Sequence, residues 1–543
     1  MKFIKIISLI LCCIALQSVI GQVSNNSYRS QVWVADNGDG TYKNPILFAD
    51  YSDPDVIRVG DDYYMTSSSF NAVPGLPILH SKDMINWELI NYALQKQPPF
   101  DVYDKPGHGN GVWAPCIRYH NNEFYIYYPD PDYGIYMVKT KDPKATWSEP
   151  ILVKEGKGLI DPSPLWDDDG KVYLGYAFAG SRAGIKSLLA ICTMNSEGTL
   201  ANSDDVIIID GHEGETTIEG PKLYKRNGYY YVFAPAGGVP IGWQTVMRSK
   251  NIYGPYEKRK VLEQGKTTIN GPHQGAWVTT QTGEDWFFHF QDRGAYGRIV
   301  HLQPMKWVND WPIMGTDQDG NGIGEPVLNY KKPNVGNKKL SIETPPESDE
   351  FNSPSLGLQW QWHANKQVYW GFPSTMGYYT LYCQPMPKEA TNLWDVGNLL
   401  LQKFPAEEFT ATTKMTFNAR FDEEQTGLLI MGLDYSYLRV LQKSGELYVS
   451  QVSCKDADKK GVEKESDSVK LKSNTFYLQV RVTKGGICKF FYSEDGTKFN
   501  PIGEPFTARE GKWIGAKIGF LALRKGVIND AGNVLIDWFR INK

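Results

Sequence analysis

No cysteine framework, basic patch or long helical repeat is legible in this chain, and each absence removes a class of answer. Of seven cysteines, Cys12 and Cys13 fall within the first 21 residues. The other five, Cys116, Cys192, Cys383, Cys454 and Cys488, are scattered and odd in number. Neither a disulfide scaffold nor a zinc spacing can be built from them, so they read as buried thiols. Lys and Arg total 57 against 61 Asp and Glu, a formal charge of −4 with no basic cluster, which gives no reason to propose a nucleic-acid partner. A P-loop, a dinucleotide fingerprint and Ser-His-Asp spacing are missing as well. The apolar run from Ile6 to Ile20 is shorter than the ~20 residues of a membrane span. Preceded by Met1-Lys2-Phe3-Ile4-Lys5 and followed by Gly21, it reads as a secretory signal peptide over residues 1–21. The expected location is therefore secreted or periplasmic, with no membrane span after cleavage.

What the chain has in quantity is aromatic residues, 13% of the total with 16 Trp and 32 Tyr, together with 52 Gly. That mixture suits an all-β protein, and also one that stacks sugars on rings. Five stretches share one shape: a polar or aromatic head, usually a Pro, a short apolar run, an Asn/Asp/Gly turn, then an aromatic run. They begin at Asp53-Pro54, Trp113-Ala114-Pro115, Asp161-Pro162, Glu219-Gly220-Pro221 and His273-Gln274-Gly275. In the fourth, Asn227-Gly228 separates Lys222–Arg226 from Tyr229–Phe233, a strong hairpin signal because both turn residues accept positive φ. The prolines at 54, 115, 162 and 221 leave room for two further strands per unit, the size of a propeller blade. Five blades are predicted, in a domain over residues 22–335.

Lys331 to Lys339 is polar and turn-prone and is placed as the linker. Beyond it, alternating runs such as Phe409–Phe417 and Phe476–Val482 predict a β-sandwich over 340–543. The linker is short and stiffened by Pro333, so the sandwich should pack on the propeller. An aromatic from it could then narrow a pocket there; Trp360, Trp362 and Trp370 are candidates only because such rings suit sugar stacking, and core packing is the better reading of each. Asp317-Gln318-Asp319-Gly320-Asn321-Gly322 begins like a calcium loop, but Leu328 stands where the closing Glu belongs, so it reads as a turn. Asp167, Asp168 and Asp169 before Gly170 read as solvated turn residues.

Residues at the start of innermost propeller strands face the central channel, so Asp53, Trp113, Asp161, Glu219 and His273 should converge. Either Asp alone reads equally well as a turn residue before Pro. Three carboxylates in equivalent repeat positions do not. Clustered, desolvated anions repel, and at least one should hold its proton to unusually high pH. Acid-catalysed glycoside cleavage needs such a set: one carboxyl protonates the leaving oxygen while another activates water.

Asn44-Pro45-Ile46-Leu47 leading to Ser52-Asp53-Pro54-Asp55, with Asp161-Pro162-Ser163 and Glu219-Gly220-Pro221, resembles glycoside hydrolase family 43. The resemblance runs from about residue 44 to 330, and the trailing sandwich is similar to that of the family's β-xylosidase-like members. It implies a five-bladed propeller, inverting chemistry, and β-xyloside or α-L-arabinofuranoside substrates. On the motif match, Asp53 is the general base, Glu219 the general acid, and Asp161 the third carboxylate that raises and holds the acid. Ser52 departs from the Ala that many members carry. His273 resembles the family's central His, often associated with calcium or water in the channel, and Arg298 resembles the Arg that contacts the sugar. Trp113 and Phe70 read as walls of the sugar site, Phe70 equally as core.

The function expected is an exo-acting glycosidase of plant cell-wall oligosaccharides or polysaccharides that needs no cofactor for its chemistry, with a structural Ca2+ in the channel left open. The alternative is a propeller that binds carbohydrate without cleaving it. Intact Asp53, Asp161 and Glu219 count against that, since a binding module needs no proton donor. A structural or adhesion protein is a third reading, carried only by the export signal and the β-rich sequence.

Overall fold

The Asn227-Gly228 turn closes as the sequence requires. Both residues have positive φ, 51° and 70°, and Arg226 pairs with Tyr229 across them. The strands on either side, Lys222–Arg226 and Tyr229–Ala236, belong to a four-stranded antiparallel sheet with Trp243–Ser249 and Glu257–Leu262. Four more sheets of the same order cover 55–94, 116–155, 159–210 and 273–314. The structure is a computed structural model that describes residues 28–336, 340–526 and 529–543. Residues 1–27, which include the expected signal peptide, and linker residues 337–339 lie outside the described residues.

The five sheets are the blades of a propeller, and period-two alternation explains how they pack. Along Glu123–Asp130 of the second blade, Phe124, Ile126 and Tyr128 face the first blade, while Tyr125 and Tyr127 face the third. Each gap between neighbouring blades is filled by its own apolar cluster. The strands are therefore apolar on both faces, which is why they read as aromatic runs rather than as a clean polar–apolar alternation. The chain's N-terminal segment secures the fifth blade. Tyr42 Oη and Asn44 Nδ2 both donate to Leu302 O at 2.8 Å, and Ile46 N donates to Val300 O at 2.8 Å. Thr41–Lys43 pairs with Asn329–Lys331, so the propeller extends to the start of the linker.

The second domain packs a nine-stranded sheet on an eight-stranded one. Trp360 lies between them, with Phe520 and Phe539 at ring-centroid distances of 5.3 and 5.2 Å. It docks directly on the propeller. Val73 N donates to Trp362 O and Trp362 N to Val73 O, at 3.0 and 2.6 Å, and Asn71 Nδ2 donates to His363 O. The five cysteines outside the N-terminal segment are all buried and unpaired. One expectation fails nearby. Asp168 is solvated, but the Asp167 side chain is fully covered, held by Lys225 and Tyr230 of the next blade.

Candidate active site

Two irregularities in otherwise regular strands aim the central side chains. The strand Leu159–Trp166 slips register between Ile160 and Ser163, so Asp161 and Pro162 sit in a bulge and Asp161 takes φ 57°. The strand His273–Thr279 slips between His273 and Gly275, and Gln274 takes φ 35°. Bulges re-aim side chains, and here they turn Asp161 and Gln274 toward the channel. Pro162 causes no loss in the first bulge, because it has no N–H to contribute to a ladder there. Six non-glycine residues of the cavity have left-handed backbone: Asp53, Phe70, Asp161, Thr217, Gln274 and Trp513. Each costs of order 1–3 kcal/mol, and such strain is typically concentrated where geometry serves function.

These residues line a cavity of about 300 Å³, the lower end of the range for a small-molecule site. Asp53, Phe70, Trp113, Asp161, Glu219, His273 and Arg298 all line it. The structure thus brings together every site residue read from the sequence. Phe70 and Trp113 meet edge to face at 6.3 Å, and Phe70 is almost wholly buried, so it is core and wall at once.

The three carboxylates differ in their surroundings. Asp53 is buried among donors: Ser52 Oγ at 2.6 Å and Ser68 Oγ at 2.5 Å reach Oδ2, and Arg298 Nη1 lies 3.2 Å from Oδ1. Ser52 also accepts from Arg298 Nη1 at 3.0 Å, so its hydroxyl ties the Arg to the Asp, a function that Ala could not supply. Asp161 is 2% exposed and accepts from Gly220 N at 2.7 Å. Burial first, then the negative charge of Glu219, pushes its carboxyl up to about 8; Gly220 N–H and Lys222 oppose the rise. Glu219 keeps 24% of its side chain exposed, and its Oε1 lies 2.8 Å from His273 Nε2. Of the three carboxylates only Glu219 has the exposure to meet a ligand directly. Beneath the site, Asp55 is held by Arg118 Nη1 at 2.8 Å and Ile117 N at 2.7 Å, with Lys222 Nζ at 3.5 Å.

His273 places Nε2 2.8 Å from Glu219 Oε1, while its Nδ1 is buried without a partner among the described residues. Among the described residues no group of three or more His, Cys, Asp or Glu could hold a metal ion.

The sandwich does supply an aromatic to the cavity, but a different one from those expected. Trp360, Trp362 and Trp370 are 1%, 3% and 8% exposed and belong to the sandwich core. The wall is Trp513, 48% exposed, with its ring 6.1 Å from Trp113 and 5.8 Å from the Arg298 guanidinium. A signal for it exists in the sequence: a Trp in the turn Gly511-Lys512-Trp513-Ile514-Gly515, where glycines on both sides suit a loop rather than a strand. Ser68, which bonds Asp53 from the far end of the first hairpin, carries no such signal.

Comparison with known proteins agrees with this geometry. The profile of Glycosyl hydrolases family 43 matches residues 42–312, and that of the Beta xylosidase C-terminal Concanavalin A-like domain matches residues 348–542. The chain is 39% identical over 500 residues to a putative beta-xylosidase of Xylanibacter ruminicola, covering 90% of this chain and 87% of that one. It is 31% identical over 590 residues to a beta-xylosidase of Formosa agariphila, covering 99% and 97%. The crystal structure of the family 43 protein BlXynB from Bacillus licheniformis superposes with a TM-score of 0.79 at 27% identity, over 92% of this chain and 99% of that one. The two profiles span the propeller and the sandwich in turn: the chain belongs to glycosyl hydrolase family 43 and is a glycosidase.

Proposed function

We propose that this glycosidase is exo-acting and inverting, and that it removes terminal β-D-xylosyl or α-L-arabinofuranosyl residues from plant oligosaccharides or polysaccharides, with the xyloside the faster substrate. One observation carries the reading. Asp53 on the first blade and Glu219 before the fourth line one small cavity, the first ringed by donors and the second paired with His273 beside a buried, proton-holding Asp161. The cavity is closed on one side by Trp513, which suits a chain end better than a chain passing through. The names of the two relatives support the xylosyl preference.

In this reading the terminal sugar lies against Trp113 and Trp513, with Arg298 facing its hydroxyls. Asp53 takes a proton from a water molecule as that oxygen bonds to the anomeric carbon. Glu219 gives its proton to the glycosidic oxygen as the bond from carbon to that oxygen breaks. Asp161, buried and accepting from Gly220 N, fixes the backbone beside Glu219 and so sets where the acid points. The water needs space between base and acid, which sets their carboxyls roughly 6.5–9.5 Å apart and inverts the anomeric configuration. No cofactor enters the proton bookkeeping.

The basic and apolar N-terminal segment supports export to the periplasm or the medium, where plant polysaccharide would be met. The test of function is p-nitrophenol release from the β-D-xyloside and the α-L-arabinofuranoside, followed by proton NMR of the first sugar formed from a xylo-oligosaccharide. Xylose released from one end with inverted configuration is expected. Retention, or internal cleavage products, would remove the reading.

A further inference from the structure

Asp50 lies three residues before Asp53 where the approach to the first blade, the fifth blade and the sandwich meet, and it is 4% exposed. Its two carboxylate oxygens serve different domains. Oδ1 accepts from Arg298 N at 2.8 Å, on the propeller, and Oδ2 accepts from Gly515 N at 2.9 Å, on the sandwich. The approach is close enough to exclude side chains. A Cβ on Gly297 would lie 2.4 Å from Asp50 Cγ, and one on Gly515 would lie 2.7 Å from Gly297 N. Lys517 is buried and Lys403 half-buried near this carboxylate, and its charge opposes the effect of burial on each of them.

We propose that Asp50 is a positioning residue for the active site, fixing Arg298 and the Trp513 loop together through one carboxylate. Trp513 stands two residues before Gly515 and takes φ 67°, a conformation that a free loop would relax. Arg298 in turn holds Ser52 and Asp53. Asp50 therefore registers the sandwich wall of the sugar cavity against the catalytic base. This makes the second domain part of the site rather than an appendage. The inference rests on the proposed function only in taking the cavity between Trp113 and Trp513 as the sugar site.

The test is a double-mutant cycle of Asp50→Asn and Trp513→Ala, read as kcat and KM on whichever aryl glycoside the wild type hydrolyses. Asn keeps the shape but turns one acceptor into an NH2 that faces a backbone N–H. Asp50→Asn should raise KM and lower kcat/KM about tenfold, and Gly515→Ala should do the same by lifting the loop off Gly297. On the Trp513→Ala background, Asp50→Asn should cost a further factor of only about three, because the wall it positions is already gone. Full multiplication of the two losses, or wild-type KM in Asp50→Asn, would overturn the proposal. If Asp50→Asn does not fold, Gly515→Ala enters the same cycle; if neither folds, the contact serves stability and the proposal is lost. A wild type inactive on every glycoside would instead sink the proposed function.

Discussion

Trp513 of the sandwich and Trp113 of the propeller face each other edge to face, ring centroids 6.1 Å apart and planes at 64°. The contact joins two domains across the cavity that holds the carboxylates proposed to be catalytic. Trp513 is half exposed and anchors no core, so its removal should leave folding nearly intact while opening the site. Trp513→Ala is expected to raise KM about tenfold, the scale of losing one aromatic face, and to shift Tm by no more than a few degrees. It should also admit longer side groups on the terminal sugar. Kinetics on simple and branched xylo-oligosaccharides check this; an unchanged KM on both would refute it.

The proposed general acid is separated from the proposed base by its dependence on the leaving group. Glu219→Gln keeps the shape and the His273 contact but cannot donate the catalytic proton. Natural disaccharides, whose leaving groups need that proton, should lose about 10²-fold or more, and an activated aryl glycoside far less. Asp53→Asn should cripple both substrates alike, because water must be activated in either case. Equal losses of Glu219→Gln on the two substrates would show that it is not the acid.

Much of this was legible in the chain before any coordinates. Five heads at equivalent repeat positions announced Asp53, Trp113, Asp161, Glu219 and His273 as channel residues, because a propeller turns sequence period into spatial convergence. Arg298, in contrast, was reached by resemblance rather than by periodicity, since it begins the third strand of its blade rather than the first. Contacts that cross between domains were not legible. Gly515 reaches Asp50 over 465 residues of sequence, and no local pattern encodes such a pairing. For the same reason sequence alone offers Trp360, Trp362 and Trp370 as stacking rings in place of Trp513. Their rings suit a sugar, but their alternation buries them between sheets. Ser52 shows a subtler failure. As a swap of one small residue for another it looks neutral, yet its hydroxyl ties Arg298 to Asp53.

A propeller cut free of its sandwich should fare badly. The seam contains backbone bonds between Val73 and Trp362 and between Ala516 N and Ala295 O at 2.7 Å, as well as the Asp50–Gly515 bond. Phe48, Tyr296 and Ile299 of the propeller belong to the same apolar cluster as the sandwich core. A chain ending at residue 336 would expose that surface and lose one wall of the cavity. It is expected to be aggregation-prone and at least tenfold less active, measured by light scattering and by kcat/KM per soluble molecule. A monodisperse, fully active truncated chain would contradict the interdependence of the two domains.

The buried third carboxylate should be visible in both activity and stability. Burial and Glu219 push Asp161 up to about 8, above its ordinary carboxylate value of 3.8, so the folded state binds more protons than the unfolded one between those limits. Stability from this group is therefore complete below about pH 3.8 and is lost as pH rises toward 8. Asp161→Asn removes the titration while its amide oxygen can still accept from Gly220 N. The variant should gain Tm relative to the wild type, with the gap widening from pH 4 to pH 8. Below pH 8 Asp161 carries its own proton and adds no negative charge to the site, so Asp161→Asn should leave kcat nearly unchanged there and alter the profile only at higher pH, where the wild type gains that charge. Melting curves and kcat profiles from pH 4 to 9 on one aryl glycoside decide the matter. A Tm gap that stays constant across that range would mean that Asp161 does not store the proton.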